Sequence, residues 1–136
     1  MKIGQIMVSS NEYIHGHEWC LIFCVGEIDV AESVNRATAG NQFTLHTTEG
    51  CKMNVRRKQT GEALEEECLH SANGNAGCGV QAPTESSGTA FNENGGGIYA
   101  TEWRSDGIRM WFFSRGTEPD DLTNATTSAP DPSTWG

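Results

Sequence analysis

Glu27, Asp29 and Glu32 fall within six positions of one another in the stretch GEIDVAESVN, separated mainly by apolar residues. Carboxyl groups gathered this closely raise the pKa of at least one member, because each charge disfavours the next. A carboxyl that keeps its proton near neutrality beside one that stays ionised is the pair that glycoside hydrolysis requires. One member attacks or activates water, and the other protonates the leaving oxygen. The plainer reading is a solvated strand face, since acidic alternation is common on surfaces.

That chemistry depends on an element that turns all three acids one way. A strand has a side-chain period of two, so Glu27 and Asp29 share a face while Ile28 and Val30 point to the other, toward a core. Glu32 has the wrong parity. A β-bulge at Val30 or Ala31 would insert one extra residue and return Glu32 to the face of the other acids. As a helix the segment would put Ile28 and Glu32 together and leave no apolar stripe, so a bulged strand is predicted.

NQFTLHT, residues 41–47, alternates again, with Phe43 and Leu45 on one side and Gln42, Thr44 and His46 on the other. It reads as a second half-buried strand. Residues 48–97 show no clear periodicity, and a structureless loop of that length does not suit a compact domain. Short strands, or disulfides among Cys51, Cys68 and Cys78, are therefore expected there. Residues 95–116 form two β-rich runs around Ser105-Asp106-Gly107, a hairpin pattern. A three-residue loop would pair Thr101 with Trp111 and Trp103 with Arg109, placing both tryptophans on one face; a two-residue loop would separate them. The proline-containing tail from Glu118 to Gly136 reads as loop without a closing element.

The chain has 136 residues, enough for one domain with a sizeable core. Nine basic against 18 acidic residues give a formal charge of -9. That balance argues against nucleic acid and anionic membranes, which reward Lys and Arg, and suits a neutral ligand such as a sugar. Sixteen glycines and many Thr, Asn and Ser residues point to an all-β domain. The longest apolar run, CLIFCV at 20–25, falls far short of the roughly 20 residues of a membrane helix. The start, MKIGQIMVSSNEY, shows no apolar signal-peptide core. Of the five cysteines (Cys20, Cys24, Cys51, Cys68, Cys78), three lie in polar, Gly-rich sequence, as extracellular disulfide partners do. The odd number leaves at least one thiol unpaired within the chain. Asn124-Ala125-Thr126 fits an N-glycosylation acceptor. His15, His17, Cys20 and Cys24 are zinc-type ligands, but their spacing matches no familiar site, and no metal is expected.

Taken together, GEIDVAESVN, NQFTLHTTEGC, GNAGCGV, FNENGGGIYATEWRSDGIRMWFFSRG and DPSTWG resemble the family 16 glycoside hydrolases, in their fungal laminarinase-like endo-1,3(4)-β-glucanase branch. The likeness is spread over residues 26–136. It implies a concanavalin-like jelly-roll sandwich of antiparallel strands, here partial, with the signature ExDxxE on a bulged strand lining a cleft. Glu27 to Glu32 fits that signature position by position. Carried over, the resemblance makes Glu27 the nucleophile, Asp29 an electrostatic helper and Glu32 the general acid and base of a retaining double displacement. His46 matches the family's TLHT strand as a hydrogen-bonder in the cleft, with a structural histidine as the alternative. Trp103 and Trp111 match paired aromatic positions where an indole lies against a glucose ring. Either also suits a core, the preferred reading for Trp111.

The implied partner is a β-glucan polysaccharide acted on outside the cell by a monomer without a cofactor. Linkage preference, β-1,3 alone or mixed β-1,3/1,4, is left open. The family carries Trp-Pro shortly before the signature, whereas Trp19 is followed here by CLIFCVGEID. Residues 1–25 are therefore set apart as an atypical segment, and 26–136 as a partial domain lacking strands at both ends. A diverged or mis-spliced origin for residues 20–25 is the hypothesis, which comparison of transcript and genome decides. A partial domain exposes sheet edges and apolar surface, so an inactive relative that at most binds glucan is the alternative function.

Overall fold

A computed structural model of the chain describes residues 6–9, 26–33, 37–53, 59–104, 107–124 and 129–135. His15, His17, Cys20 and Cys24, considered above for zinc, lie outside these residues, as do residues 20–25, set apart above for a diverged or mis-spliced origin, and two of the three glycosylation-motif residues.

Two antiparallel sheets carry the fold. The first contains β2 (Glu27–Glu32), β3 (Gln42–His46), β4 (Glu62–Ala63) and β5 (Cys78–Gln81), in the order β2-β3-β5-β4. The second contains β1 (Ile6–Ser9), β6 (Gly97–Arg104) and β7 (Gly107–Ser114), in the order β1-β7-β6. A 3-10 turn at Thr84–Ser86 and α1 (Gly88–Glu93) join β5 to β6, and α2 (Asp120–Thr123) and a second 3-10 turn at Pro132–Thr134 follow β7. The expected all-β sandwich of antiparallel strands is thus present.

Alternation decides which faces meet. Phe43 and Val80 of the first sheet and Ile108, Met110 and Phe112 of the second are buried against one another, with Ile28, Val30, Phe91 and Tyr99 packed around them. Burial of each large side chain there contributes about 1.5–3 kcal/mol. The Tyr99 hydroxyl reaches through this layer and donates a hydrogen bond to the Ser86 carbonyl. A second cluster gathers Leu45, Met53 and the cysteines of the long connection, where Cys68 is bonded to Cys78 and Cys51 is also disulfide-bonded. Residues 48–97 therefore hold both the short strands and the cross-link expected of them.

The hairpin differs from the register that places its tryptophans together. Trp103 stands opposite Ile108, Trp111 opposite Ala100 and Arg104 opposite Gly107, so the strands pair in the register that separates the tryptophans. One residue of slip moves a whole strand face to the other side. Trp103 consequently shares the inward face with Tyr99 and Ile108, while Trp111 shares the outward face with Ala100. The tail also differs from a plain loop. It folds over that outward face, and Trp135 meets Trp111 and Phe113 edge-on at centroid distances of 5.1 and 5.5 Å. The Trp135 indole N–H donates to Asp121 Oδ1 at 3.0 Å, which ties the last turn to α2.

Candidate active site

The acidic row is built by one irregularity in the ladder. Glu27 lies opposite His46, Ile28 opposite Leu45 and Asp29 opposite Thr44, but the next pair is Glu32 with Gln42. Val30 and Ala31 thus occupy the space that β3 fills with Phe43 alone, the two-against-one arrangement of a bulge. All three acids face even-numbered residues of β3 and project from the same side of the sheet. Ile28 and Val30 keep their places against the core.

Spacing along β3 constrains what the pair can do. Glu27 and Glu32 stand opposite residues four apart, so their backbones are separated by about 13 Å at about 3.3 Å per residue. A retaining pair needs carboxyls about 5–5.5 Å apart, so each side chain must lean inward by about 4 Å. Glutamates at both ends and the shorter aspartate between them suit that demand.

Asp29 is fixed by its neighbour. His46 Nε2 lies 3.1 Å from Asp29 Oδ2, across the diagonal of the register. The imidazole is only 8% exposed, and its Nδ1 has no hydrogen-bond partner among the described residues. A proton on Nδ1 would be a buried orphan, so the arrangement selects the tautomer with hydrogen on Nε2, donating to Asp29. Gly77 seals the other side of the ring. A Cβ at this position would fall 2.8 Å from both Cε1 and Nδ1 of His46, and the backbone there has φ +65°. Among the described residues no Lys or Arg forms an ion pair with the three acids, so His46 is their one charged or polarisable partner of that kind.

Asn41 is the residue that sequence reasoning missed. Its Oδ1 accepts from the Glu32 amide at 2.7 Å and its Nδ2 donates to the Val30 carbonyl at 2.9 Å. The carboxamide therefore spans the bulge and satisfies two backbone groups that the interrupted ladder leaves over. The available signal was indirect: a bulge parity requires some donor and acceptor beside it, but parity does not say which residue supplies them.

Of the six expected site residues, Glu27, Asp29, Glu32 and His46 come together on the outer face of β2 and β3. The tryptophans do not join them as a pair. Trp103 is 64% exposed at the end of β6, where a ring can be met from solvent. Trp111 is 2% exposed and enclosed by Phe113 and Trp135 on the far face of the second sheet. No sugar can stack on it there, which corrects its assignment as a substrate contact and agrees with the core reading.

A family model described as XgeA-like, catalytic GH16 domain matches residues 15–136. A probable glycosidase of Schizosaccharomyces pombe is 49% identical over 114 residues, covering 81% of this chain and 26% of that protein. The endo-1,3(4)-beta-glucanase xgeA of Emericella nidulans is 43% identical over 111 residues, covering 82% of this chain and 17% of that protein. Among solved structures, GH16 Laminarinase 16A from Phanerochaete chrysosporium, with β-glucans in donor and acceptor sites, superposes with a TM-score of 0.67 at 37% identity, covering 89% of this chain and 38% of that one. An elongating GH family 16 beta-1,3-glucosyltransferase gives a TM-score of 0.71 at 32% identity, covering 99% of this chain and 40% of that one. The chain thus spans about a quarter or less of the length of these two sequence relatives.

Proposed function

Because this chain belongs to the XgeA-like group of the family 16 glycoside hydrolases, we propose that it cleaves internal β-1,3 or mixed β-1,3/1,4 linkages of a β-glucan with retention of configuration. The observation that carries the proposal is the bulge of β2, which turns Glu27, Asp29 and Glu32 onto one face. In the first step Glu27 attacks the anomeric carbon while Glu32 protonates the departing glucosyl oxygen. In the second, Glu32 takes a proton from water as that water displaces Glu27 from the glycosyl ester. Asp29, held by His46, stands between them as a fixed charge and hydrogen-bond acceptor near the developing positive charge of the sugar. Trp103 offers an exposed indole to a glucose ring at a subsite.

The Cys68–Cys78 disulfide supports a site of action outside the cell, because such bonds persist in oxidising compartments. We take the chain to act as a monomer without a cofactor. Transfer to a sugar hydroxyl is a second outcome of the same glycosyl ester, and the likeness to a β-1,3-glucosyltransferase favours testing for it.

The deciding experiment is reducing-sugar release from laminarin by the 136-residue chain beside Glu27→Gln, with oligosaccharide products resolved by size. Release that disappears in the variant supports the nucleophile, and products longer than the starting oligosaccharide identify transfer. Glucan binding without release in the parent would instead identify a binding relative.

A further inference from the structure

The bulge that sets the acidic row is an energetic problem before it is a catalytic device. An extra residue in one strand leaves backbone groups unpaired, and a buried unpaired amide or carbonyl keeps the full cost of its lost hydration. Asn41 meets both needs of this bulge with one planar group, accepting from the Glu32 N–H and donating to the Val30 C=O. The side chain is 1% exposed and so is held away from water.

Asn41 is itself fixed by three further contacts. Its backbone N–H donates to Ser86 Oγ at 2.7 Å, and Ser86 Oγ donates in turn to the Pro83 carbonyl at 2.5 Å. Its carbonyl accepts from the Ala82 amide at 2.8 Å and from Gln81 Nε2 at 3.1 Å. Just before it, the backbone of Gly40 runs so close to residues 82 and 83 that a Cβ would meet the Pro83 carbonyl oxygen at 2.1 Å. The turn ahead of β3 is thereby anchored to the segment after β5, and the carboxamide reaches across to β2 from a rigid base.

We propose that Asn41 is a positioning residue for the acid/base chemistry: through the Glu32 N–H and the Val30 C=O it fixes the bulge and hence the direction in which the Glu32 carboxyl points. The inference rests on the assignment of Glu32 as general acid and base, and it extends the working site from the strand of the acids to the turn at 37–41 and the Ser86 loop. Ser86 and Gly40 act one contact further out, through Asn41.

Two variants of the 136-residue chain separate the contributions. Asn41→Leu removes both hydrogen bonds at similar volume, whereas Asn41→Asp retains the acceptor toward the Glu32 N–H and loses the donor toward Val30. Hydrogen exchange is read first, because it needs no activity. The Glu32 amide is expected to lose protection in Asn41→Leu and to keep most of it in Asn41→Asp, while the ladder amides of β3 are unchanged in both. Where Asn41→Leu does not fold, Asn41→Asp carries the test through loss of activity with an intact ladder.

Kinetics then read the carboxyl. On laminarin, kcat is expected to fall about 100-fold in Asn41→Leu and by less in Asn41→Asp, with KM little changed. On an aryl β-laminaribioside with a strongly acidic phenol as leaving group, which needs no protonation, the first step should be nearly unaffected. Azide should restore turnover on that substrate: its nitrogen attacks the anomeric carbon, the bond to Glu27 breaks to return a carboxylate, and no proton has to be removed. Equal losses on both substrates without azide rescue would overturn the proposal, as would unchanged protection of the Glu32 amide. A parent chain without turnover on either substrate would refute the catalytic assignment together with the positioning role, while the exchange result would still decide whether Asn41 holds the bulge.

Discussion

Replacing Gly77 by alanine tests whether His46 is held by packing or merely lies beside Asp29. The added Cβ would stand 2.8 Å from two ring atoms of His46 and 2.7 Å from Thr44 Cγ2. Comfortable carbon contacts begin at about 3.5 Å, so the ring must retreat by about 0.7 Å from its place beside Asp29. Overpacking of this kind destabilises by about 1–3 kcal/mol, and the left-handed backbone adds about 1–2 kcal/mol for any residue with a Cβ. Gly74 supplies the control, because its φ of +67° nearly equals the +65° of Gly77 while its Cβ would meet nothing within 4 Å. Gly74→Ala should therefore show the backbone contribution alone, and the difference between the two variants isolates the clash with the ring. Thermal unfolding of both should give Gly77→Ala the lower Tm by several degrees, at about 3–5 °C per kcal/mol for a domain of this size. Laminarin hydrolysis should fall by about 10- to 100-fold in Gly77→Ala and remain at the parent's level in Gly74→Ala, because a full 1 Å error in a positioned group is worth about 100-fold. Equal Tm values for the two alanines would refute the packing argument, whatever the activities.

Two further outcomes follow from the closure of the chain's last turn. Trp135→Ala opens the cluster around Trp111 and Phe113 and should destabilise by about 3–5 kcal/mol in urea unfolding, with a red shift of tryptophan emission as Trp111 meets water; a loss below about 1 kcal/mol would show that the tail does not close the sheet. Asp131 accepts hydrogen bonds from the Ser133 hydroxyl and amide, which hold its carboxyl below the ordinary value of 3.8. A lowered folded-state pKa contributes stability that is present above the ordinary value and lost as pH falls through the lowered one. The Tm difference between the parent and Asp131→Asn should therefore be constant near neutrality and close below about pH 4; a difference that persists to pH 2 would contradict the assignment.

Much of the site could be read from parity. The strand period placed Glu27 with Asp29, and the mismatch of Glu32 demanded a bulge at Val30 or Ala31, where the register does shift. Phe43 and Leu45 announced a buried face in the same way and are buried. The hairpin could not be settled by parity, because loops of two and three residues both fit Ser105-Asp106-Gly107 and differ by one step of register. That step decides whether Trp111 faces with Trp103 or against it. The tail was harder still: its prolines and polar residues look like loop, and Trp135 becomes a core residue only because Trp111 and Phe113 present a vacant face to it.

The sequence by itself determined the acidic row, the strand that carries it and the family, because side-chain alternation follows from covalent geometry and the acidic signature falls within six positions of one strand. Tertiary structure alone decided what holds those acids in place. Asn41 bridges the bulge from another strand's entry, Gly77 backs His46 from β5's approach, and Ser86 anchors Asn41 across 45 residues of chain. Such contacts depend on where distant segments meet, and hydrogen-bond capacity or the absence of a Cβ carries no label for its partner until the chain has folded.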